Sequence, residues 1–338
     1  MKVGFDISQI AYRGGVVTYT KSLAKELQKN PQLDMKFFYA SLRKPYQGSL
    51  ANVKNFKIPS SLSEIFFNRI RMTPIERFLG PIDIFHSSDW IQPPTKAKKV
   101  TTYHDVVPLK YPQWSTPKIV EVHKRRLKIV EKEIDMVIAV SNATKKDLLE
   151  NSIIPEEKIR VIYEAADAKF KPQDKSEIEA FKRKLKLPEG YVLAIGGVGE
   201  RRNLDRIKEA SKGYNLVITG ETIPWLSDDD LPLLYAGASV LLYPSFYEGF
   251  GLPILEAMSC ETPVITSNIS SMPEVGGEAA LSVNPEDENE IKKRLKQVIE
   301  DSDLRTQLIK KGLEQAKKFS WEKCAKETFE IYQQLTRV

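Results

Sequence analysis

Apolar residues in this chain fall mostly into short unbroken runs rather than alternating with polar ones. That is the pattern of strands buried on both faces of a parallel sheet. The runs are 2–7, 35–40, 82–86, 99–103, 136–140 and 159–162, then 191–195, 216–219, 240–243, 262–266 and 279–283. Segments of helical spacing separate them: 18–28, 115–133, 141–149 with Ser141 as N-cap, 175–185, 204–210, 231–238 and 252–260. Three amphipathic helices close the chain. Strand and helix alternate throughout, so the expected class is α/β with doubly wound, Rossmann-like parallel sheets. At 338 residues, 41% hydrophobic and 28% charged, the chain can bury two ordinary cores. The expected division is an N-terminal domain over 1–165, a linker centred on 163–175, a C-terminal domain over 170–318 and a last helix in 319–338.

Composition narrows the picture. The first residues, Met-Lys-Val-Gly-Phe-Asp, run straight into a strand, and no run approaches 18 apolar residues, so a cytoplasmic protein is expected. Cys260 and Cys324 are far apart without metal-ligand spacing and read as reduced packing residues; with only three histidines, no metal site is expected. The net charge of +6 is uneven: residues 1–165 hold 27 Lys and Arg against 17 Asp and Glu, leaving the remainder acidic. An anionic partner for the first half follows, such as a phospholipid surface, a lipid phosphate or an acidic saccharide. Nucleic acid does not, because the basic residues lack aromatic interleaving. Phe66 and Phe67 beside Arg69 and Arg71 leave two readings open: an amphipathic helix with a solvated basic face, or a surface for a membrane-bound or lipid-linked acceptor.

The densest chemistry lies between Val240 and Ser267. Two strands bracket a loop, Glu248-Gly249-Phe250-Gly251, that opens at Leu252 onto a helix apolar nearly all round yet carrying Glu256. The unpaired N–H groups and positive dipole end of such a helix favour a phosphate. Glu256 sits about 6 Å along the axis from the helix start, so Glu248 and Glu256 can flank one phosphate-containing ligand and read its hydroxyls. Two further glycine loops follow strands. Arg13, Gly14 and Gly15 precede the first helix, and Gly196 and Gly197 lead through Val198 and Gly199 to Arg201 and Arg202, whose guanidinium groups suit bidentate phosphate contacts. His104 and Asp105 end the strand at 99–103, where open α/β sheets bind ligands. Asp228 to Asp230 read as the acidic first turn of a helix rather than a metal-binding cluster.

Glu248-x7-Glu256 within PSFYEGFGLPILEAM resembles the signature of the retaining glycosyltransferases of family 4, which have the GT-B fold: two Rossmann-like domains facing across a cleft. VTTYHDVVPLKYP is similar to a second segment of that family, and residues 317–337 to the helix that returns to its first domain. The resemblance implies hexosyl transfer, mannosyl or glucosyl in type, from a GDP- or UDP-linked sugar to a saccharide or lipid-linked acceptor in cell-envelope polysaccharide synthesis. It further implies retained configuration and no metal or cofactor; the basic first half, rather than the resemblance, suggests peripheral contact of a cytoplasmic enzyme with an anionic membrane, with a soluble saccharide acceptor as the open alternative. Carried over by position, His104 and Glu248 lie by the donor sugar, Arg201 and Arg202 neutralise the diphosphate, and Glu256 holds the ribose. The backbone of Gly249, Phe250, Gly251 and Leu252, with Gly14, Gly15, Asp105 and Gly197, completes the donor site. Two departures stand out. Arg202 replaces a family lysine, and about one strand-helix unit of roughly 30 residues is missing between 210 and 231. They motivate an alternative, a catalytically weak relative that binds nucleotide sugar or serves as a partner subunit.

Overall fold

The computed structural model describes residues 1–12, 14–87, 89–197 and 200–337; Arg13, Val198 and Gly199 of the two glycine loops lie outside them. The chain forms two compact units, residues 1–164 with 321–338, and residues 165–320.

The first unit is built on a parallel sheet of seven strands: β1 (Lys2–Asp6), β2 (Asp34–Ala40), β3 (Val53–Phe56), β4 (Ile84–Ser87), β5 (Lys98–Tyr103), β6 (Met136–Ala139) and β7 (Ile159–Val161). Their order is β3-β2-β1-β4-β5-β6-β7, so the winding reverses between β1 and β4. Strands β4 and β6 are buried from end to end, and β1 and β5 are buried after their opening lysines. The closing Trp321–Thr336 helix packs on the Gly15–Gln28 helix, and its Tyr332 hydroxyl bonds His86 Nδ1 at 2.6 Å. The expected cap of the sixth strand's helix is present: Ser141 Oγ accepts from Thr144 N at 2.9 Å.

Two expectations for this unit are corrected. The edge strand β3 has no apolar run; Lys54 and Asn55 are exposed, and pairing to β2 alone makes it a strand. The Phe66-Phe67 pair is not a surface feature. Phe67 is fully buried and Phe66 packs beside it against Phe78, because Ile65–Ile70 is a π-helical turn that brings both rings inward. Arg71 also turns in, to Glu133 at 2.7 Å and the Gln92 carbonyl at 2.7 Å.

The second unit carries a parallel five-stranded sheet of β8 (Val192–Ala194), β9 (Leu216–Ile218), β10 (Val240–Tyr243), β11 (Val264–Ser267) and β12 (Leu281–Val283), in the order β12-β11-β10-β8-β9. A single strand stands between β8 and β10 in sequence, the shortening read from the 210–231 interval. Its core joins Val192, Leu242 and Ile265 of the sheet to Ile291, Leu295 and Leu308 of the following helices. Among the described residues no helix is long and apolar enough to cross a membrane.

Candidate active site

In the second sheet the winding reverses between β8 and β10, and open α/β sheets bind ligands beyond the strand ends at such a point. The chain dictates what gathers there. At Gly196 any Cβ would sit 1.9 Å from the Thr219 carbonyl oxygen, so only glycine lets the loop after β8 pass β9. At Gly197 a Cβ would lie 2.9 Å from Cγ of Arg202, whose side chain covers that glycine. Asn203, in the left-handed region, donates through Nδ2 to the carbonyls of Pro244 and Pro285 at 3.0 and 2.7 Å, tying this loop to the ends of β10 and β12.

Arg201 and Arg202 are thereby aimed at one carboxylate. Arg201 Nη1 lies 3.4 Å from Glu248 Oε2, and Arg202 Nη1 lies 3.2 Å from Oε1. Arg202 also donates to the Tyr243 hydroxyl and stacks over that ring at 4.9 Å. Gly251, at φ 107°, turns the chain into the Leu252–Ser259 helix, whose first N–H groups add a third source of positive potential. The side chains of Phe250 and Leu252 are buried, Phe250 edge-on to Phe319 at 5.9 Å, so these residues offer a ligand only backbone.

Serines hold the loop. Ser270 Oγ donates to the Glu248 carbonyl at 2.7 Å, and Ser271 Oγ to the carbonyls of Glu248 and Phe250 at 2.9 and 2.7 Å. Below them, Thr266 and Ser267 bond the carbonyls of Tyr243 and Ser245. Sequence reasoning missed this column of hydroxyls; the four residues in ITSNISS that follow an apolar run were its only signal.

Glu256, one turn further on, has different company. Its Oε2 accepts a 2.7 Å hydrogen bond from Tyr235. Burial pushes its carboxyl up to about 7, against the lowering effect of that bond and of Lys169. The negative charge of Asp228 raises it further. Asp228 to Asp230 precede the Leu231–Ala236 helix instead of forming its first turn; Asp230 is the N-cap residue without a side-chain cap, and Ser227 Oγ bonds its Oδ2 at 2.8 Å.

In the first unit, Gly14 is the N-cap and Gly15 the first residue of the Gly15–Gln28 helix, which starts three residues earlier than its apolar spacing indicates. Gly14 has φ 110° and open space where a Cβ would be, so the glycine pair exposes a helix N-terminus at the end of β1. His104 follows β5, and its Nδ1 bonds Glu164 Oε1 at 2.9 Å. Burial alone would lower the imidazole; Asp89, then Glu164 and Asp105, more than reverse this and hold it above its ordinary value. With Glu164 taking Nδ1–H, a protonated His104 offers Nε2–H to a substrate. Asp105 spends Oδ1 on the N–H of Val107 at 2.9 Å, which starts the short helix Val107–Lys110.

The structure thus brings Gly197, Arg201, Arg202, Glu248, Gly249, Phe250, Gly251, Leu252 and Glu256 to one end of the second sheet. It brings Gly14, Gly15, His104 and Asp105 to the corresponding strand ends of the first.

Comparison with known proteins identifies the family and the fold. A family described as "Glycosyl transferases group 1" matches residues 144–315, and one described as "Glycosyltransferase Family 4" matches residues 13–170. The chain is 31% identical over 283 residues to O-antigen chain mannosyltransferase B of Escherichia coli, covering 75% of this chain and 74% of that one. Its structure is similar to sucrose-phosphate synthase from Thermosynechococcus elongatus, with a TM-score of 0.78 and 20% identity over 99% of each chain. It is also similar to Anabaena Alr3699/HepE in complex with UDP and glucose, with a TM-score of 0.74, 16% identity, 99% of this chain and 100% of that one.

Proposed function

Because this chain belongs to the group 1, family 4 glycosyltransferases, retaining enzymes that move a hexosyl unit from a nucleotide sugar without a metal ion, we propose a mannosyl donor and a cell-envelope saccharide acceptor. The observation that carries the reading is the convergence of Arg201 and Arg202, 3.4 and 3.2 Å from Glu248, beside the helix that Gly251 opens. Two fixed guanidinium groups and a helix N-terminus supply what a departing diphosphate needs in place of a cation. Glu248 and His104 orient the sugar as positive charge grows at its anomeric carbon, and Glu256 takes the ribose hydroxyls. The second unit is the nucleotide-sugar side and the first the acceptor side. Support for mannose comes from the O-antigen chain mannosyltransferase, and for a nucleotide donor from the UDP held by the Anabaena protein.

The test is a panel including GDP-mannose and UDP-glucose, incubated with saccharide acceptors in excess chelator, with the product's anomeric configuration read by NMR. Retained α-mannosyl product from one donor is expected. Donor binding without turnover would instead favour the catalytically weak relative, and loss of turnover in chelator restored by Mn²⁺ would overturn the metal-free reading.

The acceptor side also favours peripheral contact with an anionic bilayer. Turning the phenylalanines inward leaves Leu62, Ile65, Ile70 and Met72 at 53, 37, 52 and 82% exposure around Arg69. The basic first half attracts anionic lipid, and the aliphatic side chains add a contribution that salt does not screen. Co-sedimentation with phosphatidylglycerol vesicles at low salt should retain the protein, and Met72→Asp should weaken it; absence of bound protein there removes this part of the reading.

A further inference from the structure

Tyr332, His86, Thr102 and Tyr19 form one hydrogen-bonded chain inside the first unit, and none of them is more than 3% exposed. His86, on β4, stacks on Phe5 at 4.7 Å. Burial, and then the charge of His104, push its imidazole down to about 3, so the ring is neutral and can give one hydrogen bond and take one. Both go to hydroxyls. Tyr332 of the closing helix lies 2.6 Å from Nδ1, and Thr102 Oγ1 of β5 lies 2.8 Å from Nε2. Thr102 Oγ1 is in turn 2.8 Å from the hydroxyl of Tyr19, on the Gly15–Gln28 helix. The Tyr19 ring then stands edge-on to the His104 imidazole, with centroids 4.6 Å apart at 83°, and edge-on to Trp321 of the closing helix at 5.9 Å.

Packing the closing helix requires none of these hydroxyls, because replacing both partners of a buried hydrogen bond by apolar groups of the same shape is close to neutral. A polar chain that joins two helices and two strands through such a core specifies position more than it adds stability. Resting on the reading of His104 as a donor-sugar contact, we propose that Tyr19 is a positioning residue for His104, and that Tyr332 of the closing helix sets Tyr19 through His86 and Thr102. Glu164 fixes His104 at one atom, Nδ1, and leaves the ring free to tilt. The contact with Tyr19 removes that freedom and settles where Nε2–H points. The charges acting on His104 are those of Asp89, Glu164 and Asp105, which all favour the protonated ring, while His86 stays neutral. Tyr19 adds an aromatic ring beside that cation, so an imidazole that tilts away from it titrates lower.

With three histidines in the sequence, ring C–H NMR of the full-length protein can follow His86, His104 and His123 separately. Tyr332→Phe and Thr102→Val break the chain at different links and leave His104, Glu164 and Asp89 in place. Each should lower the His104 titration midpoint by about half a pH unit, the size expected when an aromatic partner of a cation is displaced. The double variant should lower it no further than one single, because both changes act through the same chain. His123, which burial and then Arg126 hold at about 4, should keep its value. In transfer assays each variant should lose kcat about tenfold with the donor KM unchanged, as a misdirected group at the reacting centre does. A merely structural chain would lower Tm and leave both readouts alone. An unmoved His104 midpoint in both variants, additive shifts in the double variant, or wild-type kcat in a variant whose midpoint has moved would each overturn the proposal. A wild type that transfers no sugar would instead overturn the reading on which it rests, and the midpoint would still decide whether Tyr332 and Tyr19 position His104.

Discussion

Glu248 and Glu256 belong to one loop and helix, the first buried and the second half-buried, yet their surroundings are opposite. Glu248 lies between two guanidinium groups within 3.4 Å; Glu256 leans on a phenol and is pushed up to about 7. A carboxylate that balances two cations is suited to hold them in place for a diphosphate. A carboxyl near neutrality, bonded to one hydroxyl, is suited to exchange that hydroxyl for those of a ribose. Spacing alone makes the pair look equivalent. Their electrostatics differ in the way the proposed division into a phosphate-and-sugar end and a nucleoside end requires.

The largest effect should come from Glu248→Gln. It is expected to lower transfer by orders of magnitude, since the charged contact to the sugar is lost, while nucleotide diphosphate still binds. The same change strips Arg201 and Arg202 of their counter-charge, and removing one partner from a buried pair costs about 3 to 5 kcal/mol in a fully enclosed site. Both arginines are partly open to water, so a smaller loss is expected here. Thermal melts should show a lower Tm that nucleotide diphosphate raises more than in wild type, because phosphate oxygens resupply the missing charge. A variant that transfers normally, or that no longer holds nucleotide, would erase the distinction between the two glutamates.

Glu256→Ala should act at the other end. Removing a charge-assisted bond to ribose hydroxyls is expected to weaken nucleotide binding by about 1.5 to 3 kcal/mol. Calorimetry on both variants checks the comparison directly: equal losses of nucleotide affinity would mean that the carboxylates share one role.

Which parts of this were legible follows from range. The central strands announce themselves because a strand buried on both faces is apolar within its own few residues, and Val240–Tyr243 and Leu204–Ala210 stand where their patterns end. Val53–Phe56 escaped because an edge strand is defined by its neighbour. Of the two readings left open for the Phe66-Phe67 segment, the structure keeps the amphipathic one in burying Phe67 and exposing Arg69, but the buried flank also carries Glu64 and Asn68, satisfied by Arg125 and by the Trp90 and Gln92 backbone, so aliphatic side chains face outward. Glu248, Glu256 and the glycines are recognisable because their chemistry lies within one short loop. Glu164, 60 residues from His104, and Ser271, 23 from Glu248, become visible only when the chain is folded.

The smallest effect is the most specific to Glu256. Its folded value of about 7 stands above the ordinary 4.5, so the native state holds the extra proton between those values, and this group's contribution to stability falls as pH rises through that window. Ribose hydroxyls donate best to the ionised form, so nucleotide binding should expel the proton. Between pH 8 and pH 6, affinity is then expected to fall about tenfold, as one required ionisation with a value near 7 demands. Near pH 7, calorimetry in buffers of different ionisation enthalpy should report proton release on binding. The nucleotide's own terminal phosphate titrates in the same range, so Glu256→Gln provides the subtraction: it should lose the part of the release that belongs to the carboxyl. Tyr235→Phe removes the hydrogen bond that lowers Glu256, so the midpoint of the affinity profile should move upward. If neither variant alters the profile, Glu256 does not meet the nucleotide, and the division between a guanidinium-clamped end and a phenol-capped end loses its functional meaning.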